Sequence, residues 1–243
     1  MGHKNQGKVI VFNHFQFDDF ENRDGTHEDV KRIENTFGIK LGFKVKVYDD
    51  LTVSQILQVV HGLSQADFSD DNCLVIIILT HGIEKGLLKS KQGFYTLDDI
   101  YEKLAGDRCP TLAGKPKLFF IQACRGAKCD PGVEIQRRLE GQTSRDLPQF
   151  NSFRIPSHSD IFMGFSCFEN YVSWRSSMGT FFIQSLCDVL DTNSHRDDLL
   201  SMTTAIVNKV GEMRSVSADN TEHDMMQTAT FITTLRKKFY FNH

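Results

Sequence analysis

The chain has 243 residues, a formal net charge of −3 and a hydrophobic fraction of 40%, enough apolar material for a substantial core. A charge so near balance gives no electrostatic footprint for nucleic acid or an anionic membrane, and no apolar run approaches a bilayer span. Six cysteines, at 73, 109, 124, 129, 167 and 187, form no CxxC pair. With no signal-like N-terminus they are expected to be reduced thiols, which points to the cytoplasm, and the absence of ligand spacing disfavours a metal site. Met1-Gly2 opens like a myristoylation signal, but Gln6 stands where Ser or Thr is needed.

Strand-like and helix-like patterns alternate from the start. Lys8 to Phe12 reads as a strand, followed by a helix near 28–40 with Val30, Ile33 and Phe37 on one face. Thr26 and Asp29 suit its cap and Gly38 its end. A strand from Phe43 to Tyr48 precedes a helix near 53–65. The apolar run 73–80 precedes a short helix near 97–104 capped by Thr96, and a strand follows at 117–122. Between 129 and 160 lie three of the five prolines, Pro131, Pro148 and Pro156, among Gly, Ser, Gln and Arg, which predicts an exposed linker. A strand at 160–166, helices near 180–191 and 198–212, and a strand near 229–235 complete the order. It implies an α/β domain of about six strands, mainly parallel, with helices on both faces in flavodoxin-like order.

Two apolar runs end in residues capable of chemistry. Lys117 to Ile121 leads into Gln122-Ala123-Cys124-Arg125-Gly126, and Cys73 to Leu79 leads into Thr80-His81-Gly82. In open α/β sheets ligands bind at the carboxyl ends of the strands, so a thiol and an imidazole are expected to face one crevice. A thiol attacks a carbonyl as thiolate, and an ordinary cysteine with a pKa of about 8.5 needs a neighbouring base at neutral pH. His81 is that candidate base, and the backbone N–H groups of Gly82 and Cys124 are candidate donors to a tetrahedral oxyanion. Taken singly, each residue is more often something plainer, Cys124 a small buried hydrophobe and His81 a satisfied loop histidine. Their shared position at strand ends beside glycines favours nucleophilic catalysis.

The pentapeptide with an upstream histidine resembles the caspase signature. The likeness extends over most of the chain through Asn22-Arg23-Asp24-Gly25-Thr26, Thr80-His81-Gly82, Gly114-Lys115-Pro116-Lys117-Leu118-Phe119, Ser173-Trp174-Arg175 and Phe239-Tyr240-Phe241. It implies the caspase-like fold and a cysteine endopeptidase cutting proteins after aspartate, acting in programmed cell death without a cofactor. Cys124 would be the nucleophile and His81 the proton carrier, with Gly82 at the oxyanion. Arg23, Gln122 and Arg175 would clamp the aspartate side chain, chemistry suited to two guanidiniums and an amide. Ser173 and Arg175 would bind the substrate main chain as an added strand, and Trp174 would wall a subsite.

Some positions depart from the family pattern. Val172 stands where many members carry an aromatic, which implies a roomier second subsite. Ser176, Ser177 and the pair Phe181-Phe182 replace the asparagine and tryptophan of acid-preferring members, which leans the fourth subsite towards small or apolar residues. The resemblance implies one catalytic domain over 1–243, with a large-subunit segment 1–146, an exposed linker 129–160 and a small-subunit segment 161–243. Activation would come from cutting after Asp146, since Asp130 is followed by Pro131, or at Arg137-Arg138, or by dimerisation alone. The expected partners are protein substrates, a second copy joined through the C-terminal strand, an upstream activating protease and inhibitor proteins. With the first strand so near the start, the resemblance implies either an effector-like member with a short or absent prodomain or a catalytic fragment of a longer one. Rival readings are a catalytically silent dimerisation partner and, from element order alone, a flavodoxin-like ligand binder.

Overall fold

A computed structural model of the chain describes residues 4–83, 86–131, 158–176, 178–216 and 223–241. Its centre is β3 (Asp71–Leu79), whose Leu74 to Leu79 run is buried throughout. Such uninterrupted apolarity is what a strand covered on both faces requires. Parallel neighbours are β1 (Asn5–Asn13) on one side and β6 (Lys117–Gln122) on the other. Beyond β1 lies β2 (Lys44–Asp49), with the polar pattern of an edge. Beyond β6 come β7 (Ile161–Phe165), parallel, and β10 (Thr230–Thr233), antiparallel. The order β10-β7-β6-β3-β1-β2 is the six-stranded, mainly parallel sheet that the element pattern predicts.

Alternate side chains of each strand feed two cores. Val9, Val11, Val75, Ile77, Leu118 and Phe120 pack under α1 (Thr26–Ile33), α4 (Phe181–Asn193) and α5 (Leu199–Glu212). Ile10, Phe12, Leu74, Ile76, Phe119 and Ile121 pack under α2 (Val53–Ser64) and α3 (Asp98–Tyr101). Helices therefore cover both faces. α2 starts on a reciprocal cap between Thr52 and Gln55, and α5 on the Asp198 carboxylate, which accepts from the Leu200 and Ser201 amides.

The first helical region departs from its sequence signals. α1 is capped by Gly25 at φ 82°, with no side-chain cap, and after Ile33 it widens into a π-helical stretch running to Lys40, past Gly38. Thr26 and Asp29 do not cap it. The Thr26 hydroxyl donates to Asn13 Oδ1 at 2.6 Å, and the Asp29 carboxylate accepts from the Thr180 amide at 2.8 Å. Tertiary partners outcompete the local cap for both side chains. Thr96 does cap its helix, taking the Asp99 amide on its hydroxyl at 3.3 Å. Two short hairpins have no counterpart in the expected elements: β4 (Leu88–Lys89) with β5 (Phe94–Tyr95), and β8 (Arg175–Ser176) with β9 (Gly179–Thr180). The cleavage candidates Asp146 and Arg137-Arg138 lie outside the described residues.

Candidate active site

Four adjacent strands, β7, β6, β3 and β1, bring their carboxyl ends to one edge of the sheet. The loop after β1 carries Arg23, the loop after β3 carries His81 and Gly82, β6 ends in Gln122 with Cys124 in the loop that follows, and the segment after β7 carries Val172 to Arg175. The ladder fixes their mutual heights. Leu79 pairs with Gln122, the Thr80 amide donates to the Gln122 carbonyl at 3.0 Å, and the His14 amide donates to the Leu79 carbonyl at 2.9 Å.

Beyond the ladder the backbones of the second and third loops touch. A methyl group built on Gly82 would stand 2.0 Å from the Cys124 carbonyl oxygen and 3.1 Å from Ala123 Cβ, an approach open only to glycine. On its other side the Cys124 loop is laced to the segment after β7. The Arg125 amide donates to the Tyr171 carbonyl, the Asn170 amide to Arg125, the Lys128 amide to Asn170 and the Val172 amide to Lys128, each at 3.0 Å. Cys124 is half-buried, and the Ser173 amide points at its sulfur from 3.4 Å.

His81 is held by more than its own strand. Its Nε2 lies 2.9 Å from the Glu21 carbonyl oxygen, and its ring rests against Phe17 and Phe20 at centroid distances of 4.9 and 5.8 Å. A carbonyl only accepts, so this bond places the hydrogen on Nε2 and leaves Nδ1 as the basic nitrogen of the neutral ring.

Arg23 is 1% exposed, a burial that a guanidinium tolerates only among acceptors. Its Nη1 donates to the His14 carbonyl at 3.1 Å and the Thr26 hydroxyl at 2.9 Å. Gln122 is also buried. Its amide bonds the Ser173 hydroxyl at 2.7 Å, while Oε1 has no hydrogen-bond partner among the described residues. Trp174 is anchored at both ends, its backbone amide on Gln227 Oε1 at 2.6 Å and its indole N–H on the Met226 carbonyl at 3.2 Å. Arg175 and Ser176 form β8, and Phe181, 6% exposed, opens α4. Val172 borders a cavity of about 210 Å³ that also contacts Tyr171, Met226 and Asp130.

Beside Arg23, His14 is fully buried, and neither ring nitrogen has a hydrogen-bond partner among the described residues. Burial, reinforced by the Arg23 charge, lowers its pKa from 6.5 to about 4, so the ring is neutral at physiological pH. Asp29 is also buried. Loss of hydration raises its pKa against the opposing pull of the Thr180 hydrogen bonds and the Arg23 charge. Its carboxylate ties the first turn of α1 to β9, 151 positions away.

Sequence reasoning alone did not single out the Glu21 carbonyl, His14, Gln227 or the tie between Asp29 and Thr180. Carbonyl acceptors are independent of side-chain identity, and lone polar residues in unrelated segments carry no spacing signal.

The sequence profile of the family described as Caspase domain matches residues 6–240. Among curated proteins, the chain is 36% identical to Caspase drICE of Drosophila melanogaster, across 97% of this chain and 69% of that protein. It is 39% identical to Caspase-1 of Spodoptera frugiperda, across 86% of this chain and 69% of the relative. With Caspase-3 of Bos taurus it shares 32% identity across 99% of this chain and 86% of the other. The crystal structure of Caspase-1 from Spodoptera frugiperda superposes with a TM-score of 0.90 at 35% identity, covering all of this chain and 92% of that one. With a family profile spanning nearly its whole length and relatives above 30% identity, the chain belongs to the caspase family of cysteine peptidases.

Proposed function

We propose that the chain is a cysteine endopeptidase that cuts proteins on the carboxyl side of aspartate. The observation that supports this best is the convergence of four loops at one sheet edge, with the His81 ring oriented by the Glu21 carbonyl. In this reading His81 takes the Cys124 proton on Nδ1, and the thiolate attacks the scissile carbonyl carbon. The backbone N–H groups of Gly82 and Cys124 hold the oxyanion. As the tetrahedral adduct collapses, the C–N bond breaks, His81 returns the proton to the leaving amine and a thioester remains. Water, deprotonated by His81, then releases the acid and restores the thiol.

The aspartate side chain would enter between Arg23, Gln122 and Arg175. Turning the Gln122 amide over would let the Ser173 hydroxyl donate to Oε1, meeting that unpartnered acceptor and aiming Nε2 at the incoming carboxylate. Buried cationic donors left unpaired by a neutral side chain are what makes such a site discriminate. Ser173 and Arg175 would pair with the substrate main chain, Trp174 and Val172 would shape the second subsite, and Ser176 and Phe181 would border the fourth.

The wider reading follows the family. It divides the domain into a large-subunit segment to about Asp146 and a small-subunit segment from 161, with the linker cut by an upstream protease. A second copy would join along β10, whose Ile232 side chain is 53% exposed at the sheet edge. The setting would be the cytoplasm of a cell undergoing programmed death. The test is hydrolysis of an Asp-ended fluorogenic peptide by the wild type, Cys124→Ala and His81→Ala. Turnover is expected from the wild type alone. Activity surviving Cys124→Ala would refute the mechanism, and none from a folded, processed wild type would favour a silent partner.

A further inference from the structure

Lys89, in β4 directly beneath His81, is 1% exposed, an unusual place for a lysine. Its Nζ lies 2.5 Å from Asp19 Oδ1, 4.6 Å from the Phe94 ring centroid and 5.1 Å from that of Phe20. An ammonium removed from water is retained only where such partners replace its hydration. Here the carboxylate and one ring belong to adjacent residues of the loop before Arg23. The Phe20 ring leans edge-on against Phe94 at 5.9 Å and lies 5.8 Å from the His81 ring. The next residue, Glu21, supplies the carbonyl that meets His81 Nε2. From below, the Lys89 amide donates to the His81 carbonyl at 2.9 Å.

A single buried lysine thus grips His81 from both ends, through its backbone amide and, at one remove, through the loop over the ring. That loop is exposed from Asp18 to Asn22, and Phe20 itself is 40% exposed. Among the described residues its remaining hydrogen bonds to the β4–β5 hairpin are the Asp18 amide on the Lys91 carbonyl at 3.3 Å and Gln92 Nε2 on Asp18 Oδ2 at 2.6 Å. Both are made through Asp18, one residue short of Asp19.

We propose that Lys89 is a positioning residue for His81, its ammonium fastening Asp19 and Phe20 so that the Glu21 carbonyl keeps Nε2 engaged and Nδ1 turned to the thiol. This rests on the proton-carrying role assigned to His81 above. Nothing in it involves the carboxylate pocket, so the reacting step should suffer while substrate binding does not.

The test compares Lys89→Met, Lys89→Arg and Asp19→Asn with wild type, using an Asp-ended fluorogenic peptide and, separately, alkylation of Cys124 by iodoacetamide at pH 7.0. Lys89→Met is expected to lower kcat at least tenfold with KM within threefold, and to slow alkylation at least threefold. Lys89→Arg should recover kcat to within threefold of wild type, and Asp19→Asn should lower it at least threefold. Alkylation needs no substrate, so it reads the positioning role even if peptide hydrolysis fails. A folded Lys89→Met protein with kcat and alkylation within twofold of wild type would overturn the proposal, as would a change confined to KM. If Lys89→Met does not fold, Asp19→Asn decides. Its carboxylate is 62% exposed, and unchanged kcat and alkylation in that variant would also overturn the proposal.

Discussion

Gly82→Ala isolates the meeting of the histidine and cysteine loops. The added methyl would stand 2.0 Å from the Cys124 carbonyl oxygen, whereas real Cβ contacts essentially never fall below 3.0 Å. Something must therefore retreat by about 1 Å, and the obstructing atom is backbone, not a flexible side-chain tip. The Cys124 peptide is fixed on its far side by the four hydrogen bonds lacing residues 125–128 to 170–172, so much of the displacement falls on the His81-Gly82 peptide. A misplacement of about 1 Å between reacting groups costs about 100-fold in rate, or roughly 2.7 kcal/mol of transition-state stabilisation. The assay is kcat/KM on an Asp-ended fluorogenic peptide, with the melting temperature measured in parallel. We expect a loss of about 100-fold and a modest fall in melting temperature. Activity within threefold of wild type at an unchanged melting temperature would refute the claim that this approach sets the geometry.

Two further substitutions probe the buried polar groups. Because the folded pKa of His14 lies near 4, below its ordinary 6.5, the unfolded chain binds the extra proton first. The associated stability is complete above pH 6.5 and is lost as pH falls towards 4. His14→Phe should abolish a pH-dependent contribution of about 3 kcal/mol across that window, measured by urea unfolding at pH 7 and pH 4.5, and an unaltered pH dependence would contradict it. Asp29→Ala leaves the buried Thr180 amide without its acceptor. It should cost about 1–3 kcal/mol, read by the same unfolding curves, and a loss below about 0.5 kcal/mol would count against the tie between α1 and β9.

The sheet was legible because its signal is local. Runs such as Val75 to Leu79 and Leu118 to Ile121 announce doubly covered strands by composition, and the residues just past them fall at the carboxyl edge by topology. Cys124 and His81 could be paired on paper for that reason. Asp29 shows the opposite case. An acid in the first turn of a helix looks like a capping residue, yet its partner is the Thr180 amide across most of the chain. The widening of α1 at residues 34–40 and the two-residue strands β8 and β9 likewise have no periodicity of their own that would announce them. Lys89 was hidden more completely. Among neighbouring polar residues it looks like a solvated charge, and only the fold encloses it between Asp19 and two phenylalanines.

The central claim is that one sheet edge couples a thiol and imidazole to a cationic socket built for a carboxylate. It is tested most directly by the ratio of kcat/KM for two peptides differing only in Asp or Asn at the cleaved position. A pocket in which the buried Arg23 and the neighbouring cation need a carboxylate partner predicts a preference for Asp of about 10⁴-fold. Equal rates for the two peptides would contradict it.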